Sequence, residues 1–104
     1  MADVTVYDWN GVPATGDAAA QRQEIAGRGA ALRLVTIRAG TVAARHSHPH
    51  EQFVHVLSGT GRLDCAIGTV ALAPGTVLHL ASDAWHSAVF DTDTVLLEVN
   101  LWEG

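Results

Sequence analysis

Turn residues divide the chain into short apolar runs, and none of these runs has the length or periodicity of an amphipathic helix. Runs of this kind are typical of β-strands bounded by turns. The predicted strands cover residues 4–7, 31–38, 41–44, 52–57, 62–66, 69–72, 77–80, 87–90 and 94–101, with a hairpin between the fifth and sixth. Residues 17–26 have too few large apolar side chains for a helix face and are predicted to form a turn or the approach to a strand. Many short strands predict an all-β sandwich or barrel.

The length of 104 residues fits one domain, which is predicted to span residues 1–104. The sequence contains no linker, low-complexity tract or repeat that would suggest a second domain. A domain of this size buries a modest fraction of its surface, so its core has little stability to spare. A second copy of the chain would cover more apolar surface, and we therefore expect a homodimer.

The charge balance argues against nucleic acid as a partner, and the single cysteine excludes an intrachain disulfide. The net charge is −5 and all six basic residues are arginine, which argues against nucleic acid, because phosphates require a basic face. The absence of lysine is typical of a GC-rich bacterial genome. Cys65 has no partner for an intrachain disulfide and the N-terminus lacks a signal-peptide pattern, so a cytoplasmic location is expected. No apolar run approaches the roughly 20 residues that span a bilayer.

Three of the six histidines lie within residues 46–50, which read His-Ser-His-Pro-His. Residues two apart on a strand project to the same face, which would aim the imidazoles of His46 and His48 at one point. Gln52 begins the next predicted strand, and His86 comes from a strand far downstream. From the residues alone, a metal site is one interpretation, and ordinary surface or hydrogen-bonded histidines are the other.

The segment GTVAARHSHPHEQFVHVLSG, which starts at Gly40, resembles the first motif of the cupin family. That motif consists of Gly, five residues, His-x-His, three or four residues, Glu, six residues and Gly. Every spacing fits, and Gln52 stands where the family normally has Glu.

Residues 75–90 resemble the second cupin motif, in which Gly, five residues, Pro, four residues and His are expected. Gly75 and His86 match, Ala81 stands at the position of Pro, and Phe90 stands where Asn is often found. These departures concern the rigidity of a turn and leave the ligands untouched. The resemblance implies a cupin fold, which is an RmlC-like jelly-roll barrel, also described as a double-stranded β-helix.

The resemblance also implies that one divalent metal ion lies inside the barrel, with His46, His48, Gln52 and His86 as its ligands. Three imidazoles and one amide oxygen are neutral, so the ion would keep its full charge and act as a strong Lewis acid. Such ligands suit Zn, Fe, Ni or Mn, and the sequence does not choose among them. One or two open positions would bind water or a small-molecule substrate.

Two neighbours of Gln52 compete with it as the fourth ligand. His50 lies close in sequence, but the proline before it interrupts the strand geometry. Glu51 is adjacent to Gln52 and would point to the opposite face of a strand, as would His55. His79 is predicted to be structural or exposed.

Glu98 is the candidate acid or base, because the final predicted strand resembles the strand that carries an acidic residue in small cupins of the KdgF type. Those proteins act on unsaturated uronate monosaccharides from pectin and alginate, and the segments HSHPHEQ and VLSG also resemble them. The opposite orientation of this strand stays open. Val95, Leu97, Val99 and Leu101 share its other face, and apolar alternation alone would turn that face inward.

These features predict a metal-dependent enzyme that isomerises or tautomerises a small oxygenated metabolite such as a sugar acid, with Glu98 as the proton shuttle. An iron-dependent dioxygenase and a non-catalytic module that binds a small ligand or a metal are the alternatives. Arg33, Arg38 and Arg45 are candidate contacts for an anionic substrate, although an arginine is most often a solvated surface group. Trp85 is expected either to pack against the fold or to form a pocket wall.

Overall fold

The structure, a computed structural model, describes residues 2–102. In this part of the chain, one short 3-10 helix, Trp9–Gly11, is followed by ten β-strands. The strands are β1 Thr15–Gly16, β2 Ala20–Ala26, β3 Ala30–Ile37, β4 Val42–His46, β5 Glu51–Ser58, β6 Gly61–Cys65, β7 Gly68–Leu72, β8 Val77–Leu80, β9 His86–Phe90 and β10 Thr94–Leu101. Within residues 2–102, no helix has the length and apolar character needed to cross a membrane.

The strands form two antiparallel sheets that face each other. The six-stranded sheet has the order β1-β2-β3-β10-β5-β8, and the four-stranded sheet has the order β4-β9-β6-β7. The predicted hairpin is formed by β6 and β7. The inward faces of the two sheets share one apolar core, made of Val35, Ile37, Val54, Val56, Leu63, Leu72, Leu80, Ala88, Phe90 and Leu96. This arrangement confirms the predicted all-β jelly-roll barrel.

The first predicted strand, at residues 4–7, is wrong. Val4 and Val6 are 89% and 88% exposed, and the first strand of the described residues begins only at Thr15. Alternation of apolar and polar residues does not by itself make a strand, because a strand also needs a hydrogen-bonded neighbour. Residues 4–7 pair with no strand within residues 2–102.

Residues 17–26 contribute a full strand to the sheet, which is more than the turn or strand approach that was predicted. β2 pairs with β3 along its whole length, from Ala20 beside Ile37 to Ala26 beside Ala31. Among residues 2–102, only the two residues of β1 pair with its other side. Because the backbone ladder with β3 holds β2 in place, this strand needs few large apolar side chains, and its sequence gives a weak signal.

Gly59 lies at a point where β5 leaves the sheet and passes close to the start of β10. Its φ is +92°, and a Cβ there would lie 2.5 Å from the carbonyl oxygen of Asp93 and would also meet the side chain of Thr94. Gly40 has a similar φ of +82°, but nothing lies within 4 Å of the position that its Cβ would occupy. The two glycines therefore separate the cost of backbone strain from the cost of a steric clash.

Gly59→Ala is expected to destabilise the protein more than Gly40→Ala does. A side chain at positive φ costs about 1–2 kcal/mol in either variant, and the clash with β10 adds about 1–3 kcal/mol for Gly59→Ala alone. Urea unfolding followed by tryptophan fluorescence gives the two free energies of unfolding. Equal losses in the two variants would show that β5 and β10 do not approach each other closely at this point.

Candidate metal centre

A β-bulge in β4 turns His46 toward the space between the sheets. In the pairing of β4 with β9, Ala43 lies opposite Ala88 and His46 lies opposite His86, so β4 advances three residues where β9 advances two. A regular strand would place Arg45 opposite His86 and turn His46 outward. The extra residue instead brings His46 to the same inward face as the buried His86.

His48 lies in the connection between β4 and β5, so the prediction that His46 and His48 share a regular strand is wrong. The carbonyl oxygen of His48 accepts a hydrogen bond of 2.6 Å from the backbone N–H of Asp83. That bond ties this connection to the one that precedes β9. Asp83 has a φ of +65°, a left-handed conformation that aspartate tolerates better than most residues. A contact between two connections therefore places His48, not the alternation of a strand.

Three imidazoles nevertheless converge at one end of the space between the sheets, as the sequence predicted. One ring nitrogen of each of His46, His48 and His86 lies within 4.8 Å of the others. The ring centroids are 4.2 Å apart for His46 and His86 and 4.9 Å apart for His46 and His48. Small side-chain rotations bring three nitrogens at such separations to one cation, with bonds of about 2.0–2.1 Å. These residues therefore fit a divalent metal ion.

Backbone carbonyls determine which nitrogen is free in two of the three histidines. Nδ1 of His46 donates to the carbonyl oxygen of Ala44 at 2.7 Å, and Nδ1 of His86 donates to that of Ala84 at 3.1 Å. A carbonyl oxygen only accepts, so each Nδ1 carries the proton. Nε2 of each ring therefore keeps the lone pair that a metal ion requires.

Burial lowers the pKa of His48 and of His86 below the usual value for histidine. The neighbouring imidazoles of His46, His50 and His86 lower the pKa of His48 further. For His86, the bond to the carbonyl of Ala84 opposes the effect of burial, and the pKa is still lowered. Both rings therefore stay neutral, and able to bind a cation, at a lower pH than a free imidazole does.

Gln52 faces the same cavity from β5 and is only 4% exposed. Its Nε2 donates to Oδ1 of Asn100, its direct partner on β10, at 2.8 Å. This bond leaves Oε1, the end of the amide that attracts cations, available to an ion. His50 stands outside the cluster of three imidazoles, and its Nε2 lies 3.2 Å from the same Oδ1.

The other candidates near the site point away from it. Glu51 lies on the outer face of β5, where its carboxylate contacts Nε2 of His79 on β8, and His55 is exposed on the same face. The guanidinium of Arg45 lies over the ring of Trp85, 4.0 Å from the ring centre. Trp85 is thus accounted for by packing, and this contact joins β4, which carries His46, to the connection that leads into His86.

A cavity of about 560 Å³ extends from the three imidazoles into the barrel. Its inner walls are apolar, and Glu98, Arg33 and Arg22 line it as well. Glu98 lies beside Arg33 in the pairing of β10 with β3. Apolar alternation would have given the wrong orientation for this strand, because β10 is central in its sheet and carries partly buried residues on both faces.

Burial raises the pKa of Glu98, and the guanidinium groups of Arg33 and Arg22 counter part of this effect. Two histidines, His46 and His50, act in the same direction as the arginines. A carboxyl group with a raised pKa exchanges a proton closer to neutral pH than an exposed one does. Glu98 therefore has the properties of a group that can accept and return a proton inside the cavity.

Arg22 and Asn100 belong to the site, and the sequence did not predict either of them. Arg22 lies in the segment that was predicted as a turn or strand approach, so no alternation was available to orient its side chain. Asn100 stands two residues after Glu98 on β10 and therefore shares its face. That shared parity is the signal that would have identified Asn100 once Glu98 was placed inside.

Comparisons with known proteins agree with this architecture. The family model described as Cupin domain matches residues 33–102. An RmlC-like cupin from Shewanella frigidimarina is 16% identical with a TM-score of 0.87, over 97% of this chain and 93% of that one. KdgF from Halomonas sp. is 18% identical with a TM-score of 0.82, over 95% of this chain and 96% of that one. Ectoine synthase from P. lautus is 18% identical with a TM-score of 0.85, over 94% of this chain and 78% of that one. The identities of 16–18% to these three structures show a shared fold alone. No curated protein sequence matched this chain.

His46→Ala and His86→Ala are each expected to weaken the binding of a divalent ion by at least about 100-fold, because losing a ligand costs more than losing one of its outer hydrogen-bond partners. His55→Ala is the matched control, since this histidine lies on the outer face of β5, and it should bind like the wild type. Titration calorimetry with Zn²⁺ and Ni²⁺ after removal of metal by a chelator measures the affinities. Equal affinities in all three variants would contradict a centre built on the imidazole cluster.

Glu98→Gln is expected to raise the melting temperature of the metal-free protein at pH 7–8 and to leave it unchanged near pH 4. The pKa of Glu98 is higher in the folded protein than its ordinary value of 4.5. The neutral carboxyl group therefore costs the folded state nothing below pH 4.5, and the free energy of unfolding falls as the pH rises through the folded pKa and the group ionises. A neutral amide of the same shape removes this loss. Thermal melts from pH 4 to pH 8 test it, with Glu51→Gln, whose carboxylate lies on the outer face, as the control. A lower melting temperature for Glu98→Gln at pH 8 would contradict the cost of burying this charge.

Proposed function

The chain belongs to the cupin domain family, whose model matches residues 33–102, and we propose that it is a metal-dependent enzyme. The proposed reaction is the isomerisation or tautomerisation of a small oxygenated carboxylate such as a sugar acid. One observation carries the proposal: Glu98 and Arg33 line the same cavity as the three clustered imidazoles. A proton-transfer group, an anion-binding group and a set of metal ligands are thus available to one bound molecule.

The proposed ligands are His46, His48, Gln52 and His86. A divalent ion held by them would supply Lewis-acid polarisation of a substrate oxygen. Zn, Fe, Ni and Mn all suit imidazole and amide oxygen donors.

Arg33 and Arg22 are the proposed contacts for the substrate carboxylate. A guanidinium group binds a carboxylate through two parallel N–H bonds, which fixes its orientation as well as its position. Oε1 of Glu24, on β2, lies 3.3 Å from a guanidinium nitrogen of Arg33 and accepts a hydrogen bond that orients this side chain. The cavity of about 560 Å³ is within the range of sites that enclose small metabolites.

Glu98 is the proposed proton shuttle. As a carboxylate it would take a proton from one carbon of the substrate and return it to a neighbouring atom. One bond to hydrogen breaks and another forms, so Glu98 ends the reaction in its starting protonation state. The raised pKa brings its protonated and ionised forms closer in free energy at neutral pH, which favours both halves of the transfer.

The resemblance of the final strand and the histidine segment to cupins of the KdgF type supports a sugar acid as the substrate, and KdgF from Halomonas sp. shares the fold of this chain. The homodimer and the cytoplasmic location stay predictions, as does the assignment of residues 1–104 to one domain. The outer face of the six-stranded sheet exposes Leu32, Phe53 and Leu57, which favours self-association.

The metal-loaded wild type is expected to convert unsaturated uronates or related sugar acids to an isomer, with solvent deuterium at the carbon that receives the proton. Proton NMR in D₂O follows the conversion to the isomer and the incorporation of deuterium in the same sample. Glu98→Gln should lower kcat by about 100-fold or more while it retains the metal, because the amide cannot shuttle a proton. Metal content is measured on the same samples.

Glu51→Gln is the matched control, since it removes a carboxylate from the outer face of β5 one residue away from Gln52. It should turn over substrate at the wild-type rate. Absence of turnover by metal-loaded wild type across a panel of sugar acids would refute the proposed reaction. Oxygen consumption by the Fe(II)-loaded protein that depends on an added thiol or diketone substrate would instead identify a dioxygenase.

A further inference from the structure

We propose that Asn100 is a positioning residue that makes Gln52, and not His50, the fourth group to face the cation. This inference rests on the proposed metal centre and adds to it a residue that would touch neither the ion nor the substrate. It starts from one juxtaposition: a single oxygen, Oδ1 of Asn100, lies within hydrogen-bond distance of both Gln52 and His50.

The register of the six-stranded sheet makes the contact with Gln52 direct. Asn100 and Gln52 are opposite each other in the pairing of β10 with β5, and both point inward. They are 3% and 4% exposed, so water does not compete strongly for the bond of 2.8 Å between them. A buried amide that lost this acceptor would carry the cost of an unpaired N–H group.

The direction of that bond decides what Gln52 offers to an ion. An amide has a donating end and an accepting end, and only the oxygen attracts a cation. Because Oδ1 of Asn100 accepts from Nε2 of Gln52, the NH₂ group points toward β10 and Oε1 is the free end. A reversed Gln52 would present N–H groups to a positive charge, so the orientation of Asn100 sets the ligand quality of Gln52.

The same oxygen engages His50 at its Nε2. An amide oxygen has no proton to give, so the bond of 3.2 Å requires Nε2 of His50 to carry the proton. A protonated nitrogen has no lone pair for a metal ion. The ring of His50 is also stacked against that of His48, with centroids 5.0 Å apart. Asn100 thus blocks coordination through Nε2 of His50, and although Nδ1 keeps its lone pair, His50 is not part of the cluster of nitrogens within 4.8 Å.

The orientation of Gln52 is tested first in the metal-free protein, by NMR of the ¹⁵N-labelled side-chain amides. The NH₂ signal of Gln52, assigned by its loss in Gln52→Leu, should exchange with solvent at least about tenfold more slowly than that of the exposed Gln21. Asn100→Ala should abolish this protection. Asn100→Asp keeps an acceptor oxygen at the same place and should preserve it.

Metal binding is then measured by titration with Co²⁺, whose visible spectrum also reports the ligand set. Asn100→Ala should weaken binding by about 10–100-fold and change the spectrum, as loss of an outer hydrogen-bond partner does in other metal sites. Asn100→Asp should bind at least as tightly as the wild type. Asn10→Ala makes the same substitution at an exposed position outside the metal centre and is the control. It should bind Co²⁺ like the wild type.

A double-mutant cycle separates positioning from a general loss of structure. If Asn100 acts through Gln52, then Asn100→Ala should change the Co²⁺ affinity less than about threefold in a Gln52→Leu background. Additive losses would overturn the inference, as would wild-type affinity in Asn100→Ala or unchanged amide exchange at Gln52. A wild type that binds no Co²⁺ at all would refute the proposed function and this inference together, whereas the other results refute the inference alone.

Discussion

The register of β10 between β3 and β5 is the constraint that brings the acidic and amide groups of the centre into the cavity. Backbone hydrogen bonds on both sides hold β10 so that Glu98 lies beside Arg33 and Asn100 lies beside Gln52. Side chains alternate along a strand, so a slip of one residue would turn the acidic and amide groups outward together. The positions of these groups in the cavity are thus set by a ladder of main-chain bonds that involve no functional side chain.

The sequence predicts the architecture and the imidazole cluster well, because both follow from spacing along the chain. Short apolar runs identify most strands, and the separation of His46, His48 and His86 identifies three rings that do converge. The reason for that convergence was not predictable, since a bulge and a contact between two connections replace the assumed regular strand. Pairing explains the other differences: residues 4–7 alternate without a partner, whereas β2 pairs with few apolar residues.

The orientation of Glu98 shows that hydrophobic patterning does not predict which face of a central strand points inward. On a strand at the centre of a sheet, apolar residues occupy both faces, and the pattern does not tell the inside from the outside. The polar residues of such a strand are better guides, because they can be inside only where they have partners. Within residues 2–102, every buried side-chain nitrogen or oxygen has a hydrogen-bond partner. Gln52 and Asn100 meet that condition through each other.

The bulge in β4 has a consequence for how easily such a barrel gains or loses a metal. Deletion of one residue between Ala43 and His46 would restore a regular ladder with β9 and leave the apolar core between the sheets in place. His46 would then still lie opposite His86 and face inward. A ladder that stayed regular at the present length would instead place Arg45 opposite His86 and turn His46 outward. Movement of the bulge past His46 could therefore remove one ligand without a change in any ligand residue. Such a shift is one physical route by which metal-binding and metal-free barrels of the same architecture can arise from each other.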